Sequence, residues 1–295
     1  GKLLLENQEK KLKQIENLNY PDKEAPDTAY MEADATYISL QHRGKKKKEK
    51  MEVKVGVGYT GKEARYSTGK SKRLKEKFTF IGTGKGFMER LSLLAEERLS
   101  LSKVKKVIFG GDGDSWITSG IKDYFSSATY ILCLYHLYKK FKECLSKRKN
   151  EQKLIKDLLL SNQIDKGLSV IDQLIRNSYD QKDKNNLVKL YTYISRNRQG
   201  ITNQFKLKDK GIERAGAIES NINKVIASRF KKRGMSWSKP GALALLKIKE
   251  TILNGEWDKW WETERERNIK VDKYKPPLPA SCFKKEAETS PLIEV

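Results

Sequence analysis

Residues 104–134 read VKKVIFGGDGDSWITSGIKDYFSSATYILCL, and this stretch decides the fold. Val104 to Gly110 is a short apolar run closed by glycines, the pattern of a buried strand ending in a turn. Ser115 to Phe125 fits a short helix, and Thr129 to Leu134 is a second buried strand. A helix between two buried strands makes a crossover, the building unit of an α/β sheet. Upstream, Tyr30 to Gln41 (YMEADATYISLQ) is extended in character, Met51 to Tyr59 is rich in Val, and a third strand falls around Lys77 to Gly82. Phe87, Leu91, Leu94, Ala95 and Leu99 then recur at helical spacing between Gly84 and Leu101. The order strand, strand, strand, helix, strand, helix, strand predicts a mixed five-stranded sheet with flanking helices.

Downstream the strands stop. From His136 to about Gln199, apolar residues from Leu154 to Ile194 recur at three and four with Lys, Asp and Asn between them, so an all-helical block is expected. A further helix begins near Ala217, with Ile218, Ile222, Val225 and Ile226 on one face, and another spans Gly241 to Leu253. Residues 1–19 read as a charged amphipathic helix stopped by Pro21, Asp22 and Pro26. The expected organisation is a helical connector over 1–27 from a missing N-terminal region, an α/β core over 28–136 and 211–254, a helical block over 137–210 set into it, and a tail over 255–295. From Tyr274 that tail is Pro- and Ser-rich and is expected to be loosely ordered.

Composition narrows the function. The 295 residues carry 61 Lys and Arg against 38 Asp and Glu, a formal net charge of +23, and only two His, so the charge barely changes with mild pH. Such an excess points to a polyanionic partner, with nucleic acid leading and a merely soluble basic protein as the alternative. No window approaches the roughly 18 consecutive apolar residues of a membrane span, and no secretory signal is legible, so a soluble intracellular protein is expected. Cys133, Cys144 and Cys282 form no even framework, which argues against a disulfide scaffold.

Chemistry on a phosphodiester backbone needs developing negative charge neutralised, and oxygen-loving Mg²⁺ does so from a cluster of carboxylates. Three acids stand out because each interrupts an apolar or small-residue element. Asp34 lies in the first strand, Asp112 where a strand gives way to Gly110-Gly111-Asp112-Gly113, and Glu219 beside an apolar helix stripe. Taken singly they could be an edge-strand residue, a turn former and a solvated helix position. Their order along the elements is what gives them meaning.

That order, and the segments MEADATYISLQ, GGDGDSWITSGI, LCLYHLYKKF and AIESNINKVIASRFKKRGMSWSKPGALALL, resemble bacterial insertion-sequence DDE transposases of the ISLre type, related to the Mutator-like group, from about Tyr30 to Asn254. The resemblance implies an RNase H-like fold, divalent-metal-dependent cleavage and strand transfer of double-stranded DNA, and two Mg²⁺ or Mn²⁺ ions. It further implies Asp34, Asp112 and Glu219 as the metal-binding acids, a homo-oligomer on DNA, and a cytoplasmic, nucleoid-associated place in a bacterium. The chain would be the catalytic part, without its DNA-recognition region. Alternatives are an RNase H-like nuclease or an inactive DNA-binding remnant. Asp114 departs from the family pattern and rivals Asp112 as the second metal ligand.

Cys133 and His136 form C-x-x-H, matching a C/D-x-x-H element of the Mutator-like group. No second Cys/His pair accompanies them, since the only other His is His42, so zinc is not expected. His136 either reaches the active site or DNA, or caps a strand-helix junction. Lys45, Lys46, Lys47 and Lys48, and Lys231, Lys232 and Arg233, are candidate phosphate contacts. Trp237, Trp257, Trp260 and Trp261 could stack bases or form core or interface, and Gly82, Gly84 and Gly86 read as a turn.

Overall fold

The computed structural model describes residues 1–16, 24–41, 49–65, 72–209, 216–231 and 234–271. It divides into two units, residues 1–254 and 255–295. The first unit is built on a mixed five-stranded sheet. Strands β1 (Thr28–Ser39) and β2 (Lys50–Tyr59) pair antiparallel; a small hairpin of β3 (Gly61–Ala64) and β4 (Lys72–Lys75) stands apart; β5 (Phe78–Gly82) pairs antiparallel with β2. On the other side of β1, β6 (Lys106–Gly111) and β7 (Thr129–Leu132) are parallel additions, giving the order β5-β2-β1-β6-β7.

Strand alternation divides the core between the two faces of this sheet. Ala29, Met31 and Ala33 of β1, with Phe80 of β5 and Phe109 of β6, pack against α2 (Phe87–Leu99) and α3 (Ser115–Tyr124). Tyr30 and Ile38 point the other way with Val53, Val55, Val57 and Ile108. They pack against α9 (Ile218–Ile222), the π-helical segment Asn223–Lys231 that continues it, and α10 (Lys239–Leu253). Gly84 and Gly86, at φ +74° and +75°, form the expected turn from β5 into α2. Leu134–Asp209 is wholly helical: α4 (Leu134–Cys144), α5 (Lys149–Leu160), α6 (Ile164–Arg176), α7 (Gln181–Arg196) and α8 (Arg198–Asp209). These helices bury Leu137, Phe141, Ile155, Ile171, Leu187, Leu190 and Ile194 in a cluster of their own.

Three expectations need correction, and one element was not expected. The helix from Ala217 is not regular, because after Ile222 it widens into π winding, a form that in short stretches often marks functional sites. The β3–β4 hairpin is short and polar and gave no apolar alternation to read. The first helix, α1 (Lys2–Glu16), does more than connect: Leu4 and Leu12 are buried, and Gln8 donates to Glu250 Oε1 of α10 at 2.9 Å. The second unit, assigned wholly to a tail, begins with a helix, α11 (Trp257–Val271).

Candidate functional site

The two strands that carry the candidate aspartates fix their relation. In the parallel β1–β6 ladder Glu32 faces Gly110, an offset of 78 positions (110 − 32). Asp34 and Asp112 are separated by the same 78 positions (112 − 34), so extending the register by one pleat brings them side by side at the carboxyl end of β6. Asp34 shares the face of Tyr30 and Ile38 and is 6% exposed. Its Oδ1 accepts from Ala35 N at 2.6 Å. Burial, reinforced by Asp112 and Glu219 and only partly opposed by His136, pushes its carboxyl from 3.8 up to about 7.

Asp112 is held from two sides. Its Oδ1 accepts from Asp114 N at 2.9 Å, and its carbonyl accepts from the Tyr193 hydroxyl of α7 at 2.8 Å. Gly113 follows at φ +90°, where a Cβ would lie 2.3 Å from the Asn197 amide. The helical block thereby presses on the Asp112 loop directly. Burial raises the Asp112 carboxyl as well. Asp114 occupies the N-cap position of α3, is exposed, and belongs to neither metal-competent donor group among the described residues.

His136 joins the carboxylates. It lies in the first turn of α4, which begins after Cys133, whose N–H donates to Gly111 O at 2.7 Å. His136 Nε2 is 3.0 Å from Glu219 Oε1 and 3.8 Å from Asp34 Oδ2. The contact with Glu219 is an ion pair, and His136 Nδ1, on the other side of the ring, is buried without a hydrogen-bond partner. Burial disfavours the imidazolium, but Cys133, Glu219 and Asp34 outweigh it and lift His136 to about 10. Donor atoms of Asp34, Asp112 and His136 lie within 4.8 Å of one another, and so do those of Cys133, His136 and Glu219.

Glu32, which the sequence reading passed over, positions the third acid. Two residues before Asp34 on the same face and 1% exposed, it accepts from the Tyr59 hydroxyl at 2.7 Å. It also accepts from the backbone N–H groups of Gly216, Ala217 and Ile218 at 3.0 Å each. These N–H groups open α9, the helix of Glu219, and have no partner within a helix that starts there. The one legible signal was a second acid at an i, i+2 spacing in a strand.

Of the basic candidates, Lys231 reaches this face and donates to Thr36 Oγ1, two residues from Asp34; burial lowers its pKa. Lys45 to Lys48, Lys232, Arg233 and His42 lie outside the described residues. Trp237 is half-buried against the core: its ring packs 5.0 Å from Phe230, and its backbone bridges to Leu40. On α11, Trp257, Trp260 and Trp261 cluster with centroids 5.2 to 6.2 Å apart, and Trp261 remains 55% exposed.

The raised Asp34 gives a pH test with a definite sign. A carboxyl whose pKa rises on folding opposes folding increasingly as pH climbs from 3.8 to about 7. His136 works differently: the stability it adds is full below 6.5 and declines from there until it is lost as pH passes about 10, so part of it has gone by pH 8 and variant and parent are compared at each pH. Asp34→Asn is therefore expected to match the parent near pH 4 and to exceed it at pH 8 by up to about 4 kcal/mol. Urea titrations at the two pH values check this, and a more stable parent at pH 8 would show attraction to His136 outweighing burial.

Fold and site together define an α/β protein with a carboxylate and histidine cluster at the carboxyl ends of its central strands, where open sheets of this kind bind ligands. The chain belongs to the family described as Uncharacterised protein family (UPF0236), whose profile matches residues 7–267. A UPF0236 protein of Caldanaerobacter subterraneus subsp. tengcongensis is 25% identical over 181 residues, covering 61% of this chain and 38% of the relative; its name joins four locus labels. A second from that organism is 25% identical over 181 residues, covering 61% and 36%. A third is 24% identical over 180 residues, covering 61% and 38%, and its name joins eleven locus labels. The chain spans less than two-fifths of the length of these relatives. Among the described residues no helix is long and apolar enough to cross a membrane.

Proposed function

We propose that this chain is the RNase H-like catalytic part of a DNA transposase, a polynucleotidyl transferase that cleaves and joins DNA with a divalent cation held by Asp34, Asp112 and Glu219. The observation that carries the reading is the convergence of acids 185 positions apart (219 − 34) around one imidazole. Repetition of relatives within one genome, as their joined names express it, accords with a mobile element.

The residues fit a hard divalent cation. Two crowded aspartates have raised pKa values, and one imidazole is the only cationic group in contact with the three carboxylates Asp34, Asp112 and Glu219 among the contacts described above, an arrangement that a divalent cation would complete. When bound, Mg²⁺ or Mn²⁺ activates water or a 3′-hydroxyl and neutralises charge on the phosphate under attack. Asp34 and Asp112 hold one side of that position rigidly, from the sheet. Glu219 closes it from a helix. His136, cationic at neutral pH, can hold a phosphate oxygen or pass a proton to a leaving oxygen. Lys231, with Lys232 and Arg233 after it, offers the DNA backbone point charges.

Incubating the chain with Mn²⁺ and a duplex bearing its transposon end, then resolving products on a denaturing gel, tests the reading. Nicked and joined products are expected. Hydrolysis without joining would assign a nuclease, and DNA binding without either would assign an inactive remnant. Replacing Lys231, Lys232 and Arg233 together should flatten log K against log [salt] by up to roughly 2.7, weakening all sequences alike. An unchanged slope would show that this cluster does not hold the backbone.

A further inference from the structure

The acids account for only part of the cluster, because Cys133 belongs to it and a thiol is a poor ligand for Mg²⁺. We infer that Cys133, His136 and Glu219 form a second metal site, for a borderline-soft cation of the zinc class, made of one sulfur, one nitrogen and one oxygen donor with a fourth position open. Their donor atoms lie within 4.8 Å of one another. Tetrahedral zinc ligands stand about 3.5 Å apart, so small side-chain rotations close the set. A further observation points to a missing partner: His136 Nδ1 is buried and has no hydrogen bond in the geometry of the site.

The backbone holds two of the donors ready. Cys133 N is tied to Gly111 O at 2.7 Å, and Cys133 O accepts from Leu137 N at 3.2 Å, so Cys133 and His136 project from the first turn of one helix. Cys133 is free and buried. The third donor is a carboxylate 83 positions beyond His136 (219 − 136), which no tally of Cys and His spacings could supply. His136 therefore joins two ends of unlike chemistry, an oxygen end at Asp34 and Asp112 and a sulfur end at Cys133. A zinc-class ion at the sulfur end takes Glu219 away from the oxygen end, and this predicts inhibition by Zn²⁺ of any chemistry that depends on Mg²⁺. The metal site itself rests on geometry and does not require the transposase reading, although the inhibition does.

Co²⁺ is a spectroscopic probe for such a site. Titrated into the reduced, metal-free chain, it should produce a thiolate-to-cobalt charge-transfer band that saturates at one equivalent and is displaced by Zn²⁺. Cys133→Ser should abolish the band and Cys144→Ser, in the helical cluster, should leave it. Glu219→Gln should weaken binding by at least about tenfold, as loss of one ligand among three requires. Unchanged circular dichroism would show that each variant folds; if Cys133→Ser does not, Cys133→Ala and His136→Asn supply the same comparison. No band at millimolar Co²⁺, a band that survives loss of Cys133, or an affinity indifferent to Glu219 would overturn the inference. Cobalt binding through Cys133 in a chain that never cleaves DNA would sustain the site and sink the reading of function. Cleavage without a cobalt band would do the reverse.

Discussion

Asp112→Asn is expected to lower metal-dependent DNA cleavage by about 10²–10³-fold or more, the scale on which removing one preorganised electrostatic group acts, while Asp114→Asn keeps most of the activity. The two aspartates are two residues apart and differ in everything that matters for a ligand. Asp112 extends the β6 register beside Asp34 and is braced by Tyr193, whereas Asp114 is exposed at the start of α3. Asp112 Oδ1 also accepts from the Asp114 backbone, which either side chain at 114 leaves in place. Single-turnover cleavage of a labelled duplex in Mn²⁺ measures both variants. Equal losses, or a larger loss at 114, would move the second ligand to Asp114.

The largest expected effect on folding is at Glu32. Glu32→Ala strips acceptors from three backbone N–H groups and the Tyr59 hydroxyl at a position 1% exposed. Buried donors left unpaired cost about 1–3 kcal/mol each before water or rearrangement recovers part, so a net loss of about 3–5 kcal/mol is expected in urea denaturation. Glu32→Gln keeps one acceptor oxygen and should lose less. In that milder variant the start of α9 loosens, so Mn²⁺ affinity should fall more than stability does, because Glu219 rides on this helix. A Glu32→Ala chain as stable as the parent would show that the four contacts are replaceable.

Much of the sheet was legible because its signals are local. The glycine-ended run 104–110, the Val-rich 51–59 and the helical spacing at 87–99 each name their element without help from afar. The helical character of the block from Leu134 to Asp209 was legible for the same reason, though not its division into five helices. Glu32 was not, since a Glu two residues before an Asp reads as a solvent-facing alternation unless one knows that residues 216–218 arrive to meet it. The π winding after Ile222 was hidden because Ile218, Ile222, Ile226 and Phe230 recur at four, a spacing that an α-helix satisfies equally. Burial of α1 was not legible because its surface is highly charged and Leu4 and Leu12, the buried ones among its described side chains, are eight apart. Glu219 illustrates the division: its type and neighbours singled it out, but its approach to His136 depends on chain far from either.

Glu32 and Asp34 belong to one strand and look out of the same side of the sheet, and this joins two tasks in a single threading event. Were β1 to pair with β6 one step out of place, both carboxylates would turn to the face occupied by Met31 and Ala33. The helix of Glu219 would lose its anchor in the same movement that removed Asp34. A mis-threaded molecule would therefore be inert instead of half-competent, a useful property in a protein proposed to cut DNA.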